Sequence, residues 1–269
     1  MGKTQLALDI IKGKARHLKL SGQIGECTIN SLETPGNLLV RRMACSEAGI
    51  DSRQLRLNEL NSEQLEKYKT QLEEIKTLPI AFDDNPVLTT DQLTQRAIAR
   101  HLRVKRIMGM SDFAELFNDT VKGMSEELRV AQIAKNIRKV AWTTGSCEIL
   151  VTQVNAEALR SKSKIAGIDN ARYSKAIAQA ADWGVELWNP IQMLAANIPF
   201  VCPEDMSENY AWGIVEKNKN GPLGKISYRW TATYTRLVDN GVNVSPSDMD
   251  RIYDFRNAND RDWETIPQA

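Results

Sequence analysis

Gly2-Lys3-Thr4 opens the chain, and Ile107-Met108-Gly109-Met110-Ser111-Asp112 runs through its middle. Gly-Lys-Thr is the close of a phosphate-binding loop. Its lysine meets the β- and γ-phosphates and its hydroxyl meets a magnesium ion. An acid at the tip of a later strand is the usual second holder of that ion. Gly2, Lys3, Thr4 and Asp112 are therefore the candidate nucleotide-binding residues, with Thr4 and Asp112 as the metal pair. The full loop reads G-x-x-x-x-G-K-[ST] after a buried strand, and in this sequence Met1 stands one residue before the last glycine. The expectation is an incomplete backbone cradle, with weakened ATP binding.

Outward from these motifs the chain alternates strand and helix signals. Leu6, Ala7, Ile10 and Ile11 recur at helical spacing directly after Thr4, so a helix N-terminus faces the anion site. Cys27–Ser31 reads as a strand, 37–48 and Ser62–Ile75 as helices, and Leu78–Phe82 as a short extended piece before Asp83-Asp84. Thr89–His101 reads as a helix with Thr89 or Thr90 as its cap, and Ile107–Ser111 as a strand weakened by Gly109 and Ser111. Ser125–Thr143 is a long helix stopped by Gly145. Strands are expected at Ile149–Gln153 and Trp183–Leu187, with a basic loop over 156–168 and a short helix over 174–181 between them. Asn220-Gly221-Pro222-Leu223-Gly224 is a hairpin turn by composition. The alternation up to Leu187 predicts a parallel sheet with helices on both faces, followed by an antiparallel hairpin.

The 269 residues suit one large α/β domain, with 42% hydrophobic and 26% charged residues, as in ordinary globular proteins. A net charge of +1 carries no global field for nucleic acid, so such binding must come from a local patch. That patch exists in residues 160–175, where Arg160, Lys162, Lys164, Arg172 and Lys175 face only Asp169. Cys27, Cys45, Cys147 and Cys202 are far apart and read as free thiols, and with two histidines a zinc site is not expected. No apolar run is long enough to span a membrane. The expected location is the cytoplasm.

The order of these motifs resembles the C-terminal motor domain of DnaB-type replicative DNA helicases, which are RecA-like ring ATPases. The matching segments are Gly2-Lys3-Thr4, Ser31-Leu32-Glu33-Thr34-Pro35 with Arg41-Arg42-Met43, and Asp83-Asp84. They continue through Ser111-Asp112-Phe113-Ala114-Glu115-Leu116, Thr152-Gln153-Val154-Asn155, Arg172 with 174–182, and Lys217-Asn218-Lys219-Asn220-Gly221-Pro222-Leu223-Gly224. Together they cover about residues 1–239. The resemblance implies an α/β, RecA-like P-loop NTPase domain that hydrolyses ATP with Mg2+ and translocates on single-stranded DNA as a homo-hexamer. Primase, a helicase loader or a polymerase would be partners. The alternative is a catalytically impaired remnant that keeps only nucleic-acid or partner binding.

By the same resemblance, Glu33 polarises the attacking water and Gln153 senses the γ-phosphate. Lys217 and Lys219 reach into the neighbouring subunit's ATP site, with Lys219 standing where the family has an arginine. Lysine keeps the charge there and loses the planar fork. Arg172 and Lys175 line the DNA channel, or else belong to an exposed basic loop. Tyr173 stacks a base or is a surface tyrosine. In this family the strand before the phosphate loop is central, so the expectation is a sheet with a gap. Trp183–Leu187 would then either pair directly with Ile149–Gln153 or be left with little support. Residues 240–269 read as an acidic polar tail holding Tyr253, Phe255 and Trp263, either a docking segment or a disordered end.

Overall fold

A computed structural model describes residues 2–119, 124–153, 164–165, 175–231, 233 and 236–239. Helix α1 (Lys3–Ser21) leads into strand β1 (Glu26–Ser31), then α2 (Gly36–Ala48), α3 (Ser52–Leu57), α4 (Ser62–Lys76) and β2 (Ile80–Asp83). Next come α5 (Thr90–Val104), β3 (Arg106–Asp112), a 3-10 turn (Ala114–Leu116), α6 (Glu126–Thr144) and β4 (Cys147–Leu150). The last part holds α7 (Lys175–Ala180), β5 (Trp183–Trp188), α8 (Pro190–Ala195), β6 (Ala211–Asn218), β7 (Gly224–Thr231) and β8 (Arg236–Asp239).

Local chemistry sets the helix ends. Thr89 with Gln92 and Asn61 with Gln64 form reciprocal capping boxes at α5 and α4. Ser125 caps α6, and Gly145 closes it in the left-handed conformation. The expected boundaries of these helices fall within a few residues of those observed.

The strands form two four-stranded sheets, β2-β1-β3-β4 and β5-β6-β7-β8. Every pair in the first is parallel and every pair in the second antiparallel. Helices cover both faces of the parallel sheet. On one, Leu8 and Ile11 of α1 and Leu39 and Met43 of α2 bury against Cys27, Ile29 and Met110. On the other, Leu93 of α5 and Ile133 and Ile137 of α6 bury with Leu32, Leu88 and Phe117.

The second face is polar at one end of the sheet, and this explains Gly109. A register shift between Glu26 and Cys27 turns Arg106 onto the same face as Gly109. Its guanidinium is 1% exposed. It donates to Thr28 Oγ1 at 2.9 Å, to Ser146 Oγ at 2.8 Å and to both oxygens of Glu148. A Cβ on Gly109 would stand 1.7 Å from Arg106 Nη2 and 2.4 Å from Glu148 Oε2. The glycine that weakens the apolar pattern is thus the space a buried ion pair occupies.

Several expectations are corrected. The 183–188 strand does not extend the parallel sheet and does not pair with β4. It is held along one edge by β6, antiparallel, from Trp183 opposite Asn218 to Trp188 opposite Trp212. The hairpin around Asn220 is therefore the middle of a larger antiparallel sheet that also takes in β5 and β8. Strand β4 ends at Leu150, before Gln153. Helices α3 and α8 and strand β8 lie outside what the sequence patterns predict. Arg172, Tyr173, most of the 156–168 loop and the tail lie outside the described residues. The four cysteines are free. Among the described residues, no helix is long and apolar enough to cross a membrane.

Candidate nucleotide site

Gly2 is the N-cap of α1, with φ 101°, and no side chain caps the helix. A left-handed φ favours glycine. A Cβ here would also stand 3.1 Å from Leu187 Cδ2 and 3.4 Å from the Trp230 ring. Glycine lets the head of a 19-residue helix sit against the second sheet. Backbone N–H groups of a first helical turn lack intrahelical acceptors and favour anions.

Lys3 lies between the two sheets. Its Nζ donates to the Thr152 carbonyl at 2.7 Å and lies 5.7 Å from the centroid of the Phe113 ring. Burial lowers its pKa from the ordinary lysine value, against the opposing pull of Glu115, Asp112, Glu186 and Glu33.

Thr4 Oγ1 donates to Asp112 Oδ2 at 2.9 Å, bringing the expected metal pair together across 108 residues of sequence. Asp112 is fully buried at the end of β3, and its Oδ1 has no hydrogen-bond partner. Burial pushes its carboxyl up to about 6, and the Glu33 charge adds to the rise. The Thr4 hydrogen bond, Arg42 and Lys3 pull the other way. Asn30, on the neighbouring strand, fixes the β3 end by donating to the Met110 carbonyl at 3.1 Å.

Glu33 is exposed in the bend just after β1. It is near enough to act electrostatically on both Asp112 and Lys3. Strand ends β1 and β3 and the head of α1 therefore bring Gly2, Lys3, Thr4, Glu33 and Asp112 to one place.

Gln153 joins this cluster through its backbone, donating its N–H to Glu115 Oε1 at 3.0 Å. The sequence places Glu115 within a motif and gives it no role, and its pattern marks Arg42 only as a half-inward helix residue. Both depend on what stands opposite them in space, and no spacing rule reports that.

The remaining candidates stand elsewhere. Lys217 Nζ donates to the Ala178 carbonyl at 2.5 Å, at the end of α7. Lys219 pairs with Asp182 through its side chain, and its N–H donates to the Asp182 carbonyl at 3.0 Å. Lys175 opens α7.

An acid-tipped parallel sheet, a Gly-Lys-Thr helix start and a strand-end glutamate define a RecA-like nucleotide-binding ATPase fold. More narrowly, the chain belongs to the DnaB-like helicase C terminal domain family, whose model matches residues 1–239. It is 26% identical over 244 residues to the replicative DNA helicase DnaC of Bacillus subtilis (strain 168), covering 89% of this chain and 50% of the relative. It is 22% identical over 259 residues to the replicative DNA helicase DnaB of Rickettsia bellii (strain RML369-C), covering 89% and 52%. The chain thus spans about half the length of the curated relatives it matches. Among solved structures, an isolated ATPase domain aligns with a TM-score of 0.77 at 19% identity, over 89% of this chain and 81% of that one. A DnaB-like replicative helicase, described with its interactions with primase, aligns with a TM-score of 0.77 over 88% of this chain and 54% of that one, also at 19% identity.

Proposed function

We propose that this domain is the ATP-hydrolysing motor of a replicative DNA helicase, moving on single-stranded DNA as a homo-hexamer in the cytoplasm. The observation that carries the reading is the convergence of Lys3, Thr4, Glu33 and Asp112 around a buried, unpartnered Asp112 oxygen. An orphaned carboxylate oxygen beside a threonine hydroxyl suits a hard divalent cation, which takes oxygen donors and keeps waters and phosphate oxygens around it. The donors present therefore fit Mg2+, with Thr4 and Asp112 holding it. When bound, the ion neutralises negative charge on the β- and γ-phosphates.

The residues divide the remaining work. The α1 head and Lys3 bind the phosphates. Glu33, at a strand tip and open to water, orients the attacking water and takes its proton. Gln153, tied to the site through its backbone, senses the γ-phosphate. Lys217 and Lys219 reach a neighbouring subunit's nucleotide, the planar arginine fork being replaced by a point charge at Lys219. Arg172, Tyr173 and Lys175 meet the DNA. A primase is the first partner to test, since a solved relative is described with one. A helicase loader or polymerase follows.

The test separates binding from chemistry. Lys3→Ala should abolish binding of a fluorescent ATP analogue. Glu33→Gln should leave that binding unchanged while DNA-stimulated hydrolysis falls by about 100-fold or more, the usual worth of a general base. Equal loss of both in Glu33→Gln would make Glu33 structural. A wild-type chain without magnesium-dependent nucleotide binding would sink the reading.

A further inference from the structure

We infer that Glu115 is a positioning residue that links the occupancy of Lys3 to the segment leaving β4. The inference rests on the nucleotide-site reading above.

Three observations meet at Thr152. Its carbonyl accepts from Lys3 Nζ at 2.7 Å. Its hydroxyl donates to Glu115 Oε1 at 2.8 Å, and the next residue, Gln153, donates its N–H to the same oxygen at 3.0 Å. Lys3 and Glu115 thus hold one dipeptide through different atoms. The other carboxylate oxygen, Oε2, is buried without a hydrogen-bond partner. Among the carboxylates acting on the Lys3 ammonium, Glu115 pulls hardest.

Glu115 is itself braced. Arg129 of α6 is buried and donates to the Glu115 carbonyl at 2.9 Å and the Phe117 carbonyl at 2.6 Å. The 3-10 turn cannot follow a displaced dipeptide without breaking those bonds. It is a fixed post, and 152–153 is what moves against it.

The consequence follows from counting acceptors. A phosphate that takes the Lys3 ammonium takes it from the Thr152 carbonyl. Residues 152–153 are then held by Glu115 alone, and the chain beyond them runs toward the basic stretch 160–175. Glu115 also competes with phosphate, because a buried anion beside Lys3 repels an incoming one. One carboxylate therefore sets both the resting position of Gln153 and the ease with which Lys3 is released.

Two variants separate these effects. Glu115→Gln keeps an oxygen to accept from Thr152 and Gln153 and removes the charge. Glu115→Ala removes both. Hydrogen exchange at the Gln153 amide, measured on the full chain without nucleotide, should be unchanged in Glu115→Gln. In Glu115→Ala it should be faster by about tenfold, as expected when a protecting bond is lost. Affinity for a non-hydrolysable ATP analogue with Mg2+ should rise about 3- to 10-fold in Glu115→Gln, as removal of a like charge predicts. Unchanged exchange in Glu115→Ala overturns the tie. Equal or weaker nucleotide binding in Glu115→Gln overturns the competition. A wild-type chain that binds no nucleotide overturns the site reading and the coupling with it. The nucleotide-free exchange result judges the tie independently.

Discussion

Asp112 sets the pH behaviour of the site. Burial holds its carboxyl at about 6, above the ordinary 3.8, so between these values the folded chain binds a proton that the unfolded chain lacks. The stability of the nucleotide-free protein should therefore fall as pH rises through that window. Asp112→Asn should flatten the dependence, and denaturant unfolding at pH 4.5 and pH 7.5 checks it. Magnesium needs the carboxylate, so its affinity should weaken as pH drops below about 6. A stability profile with the opposite slope would show that the charged form is the better solvated one. Lys3, Thr4, Glu33 and Asp112 were legible in the sequence because each follows a short motif with its own local geometry. Glu115 was not, since its role arises where the end of β4 passes a turn that follows β3.

At the level of elements, the parallel sheet is fastened by Arg106 and Glu148, whose side chains are 1% and 4% exposed. Removing one partner of a buried pair leaves an uncompensated charge and typically costs about 3–5 kcal/mol. Arg106→Met should lose stability on that scale, and Arg106→Met with Glu148→Leu should recover much of it. A double variant no better than the single one would show that Thr28 and Ser146 matter more than the charge. Helices α4, α5 and α6 were readable because their caps are coded within a few residues. Strand β5 was readable as a strand, but its sheet was not. Val185 and Leu187 fit a parallel or an antiparallel neighbour equally well, and the choice was made by β6, which lies beyond α8 in the chain.

The whole molecule carries almost no net charge, so its DNA affinity must come from a few residues. Arg172→Ala with Lys175→Ala should lower the salt dependence of single-stranded DNA binding by about 1.4 in log–log slope, at roughly 0.7 per phosphate contact. An unchanged slope would place both residues on a solvated face. The two-sheet layout was the least legible feature at this scale, because it depends on strand edges and these leave no mark on hydropathy. Helix α1 lies along one sheet and sets its glycine cap against Leu187 and Trp230 of the other. Lys12 and Arg16 fasten its far half to Glu47, and Arg16 also to Glu74. It is a strut of about 28 Å, clamped along its shaft and bare at its tip. A nucleotide seated at that tip would press on the joint between the sheets, so the fulcrum of any hinge between them would coincide with the place where fuel is burned.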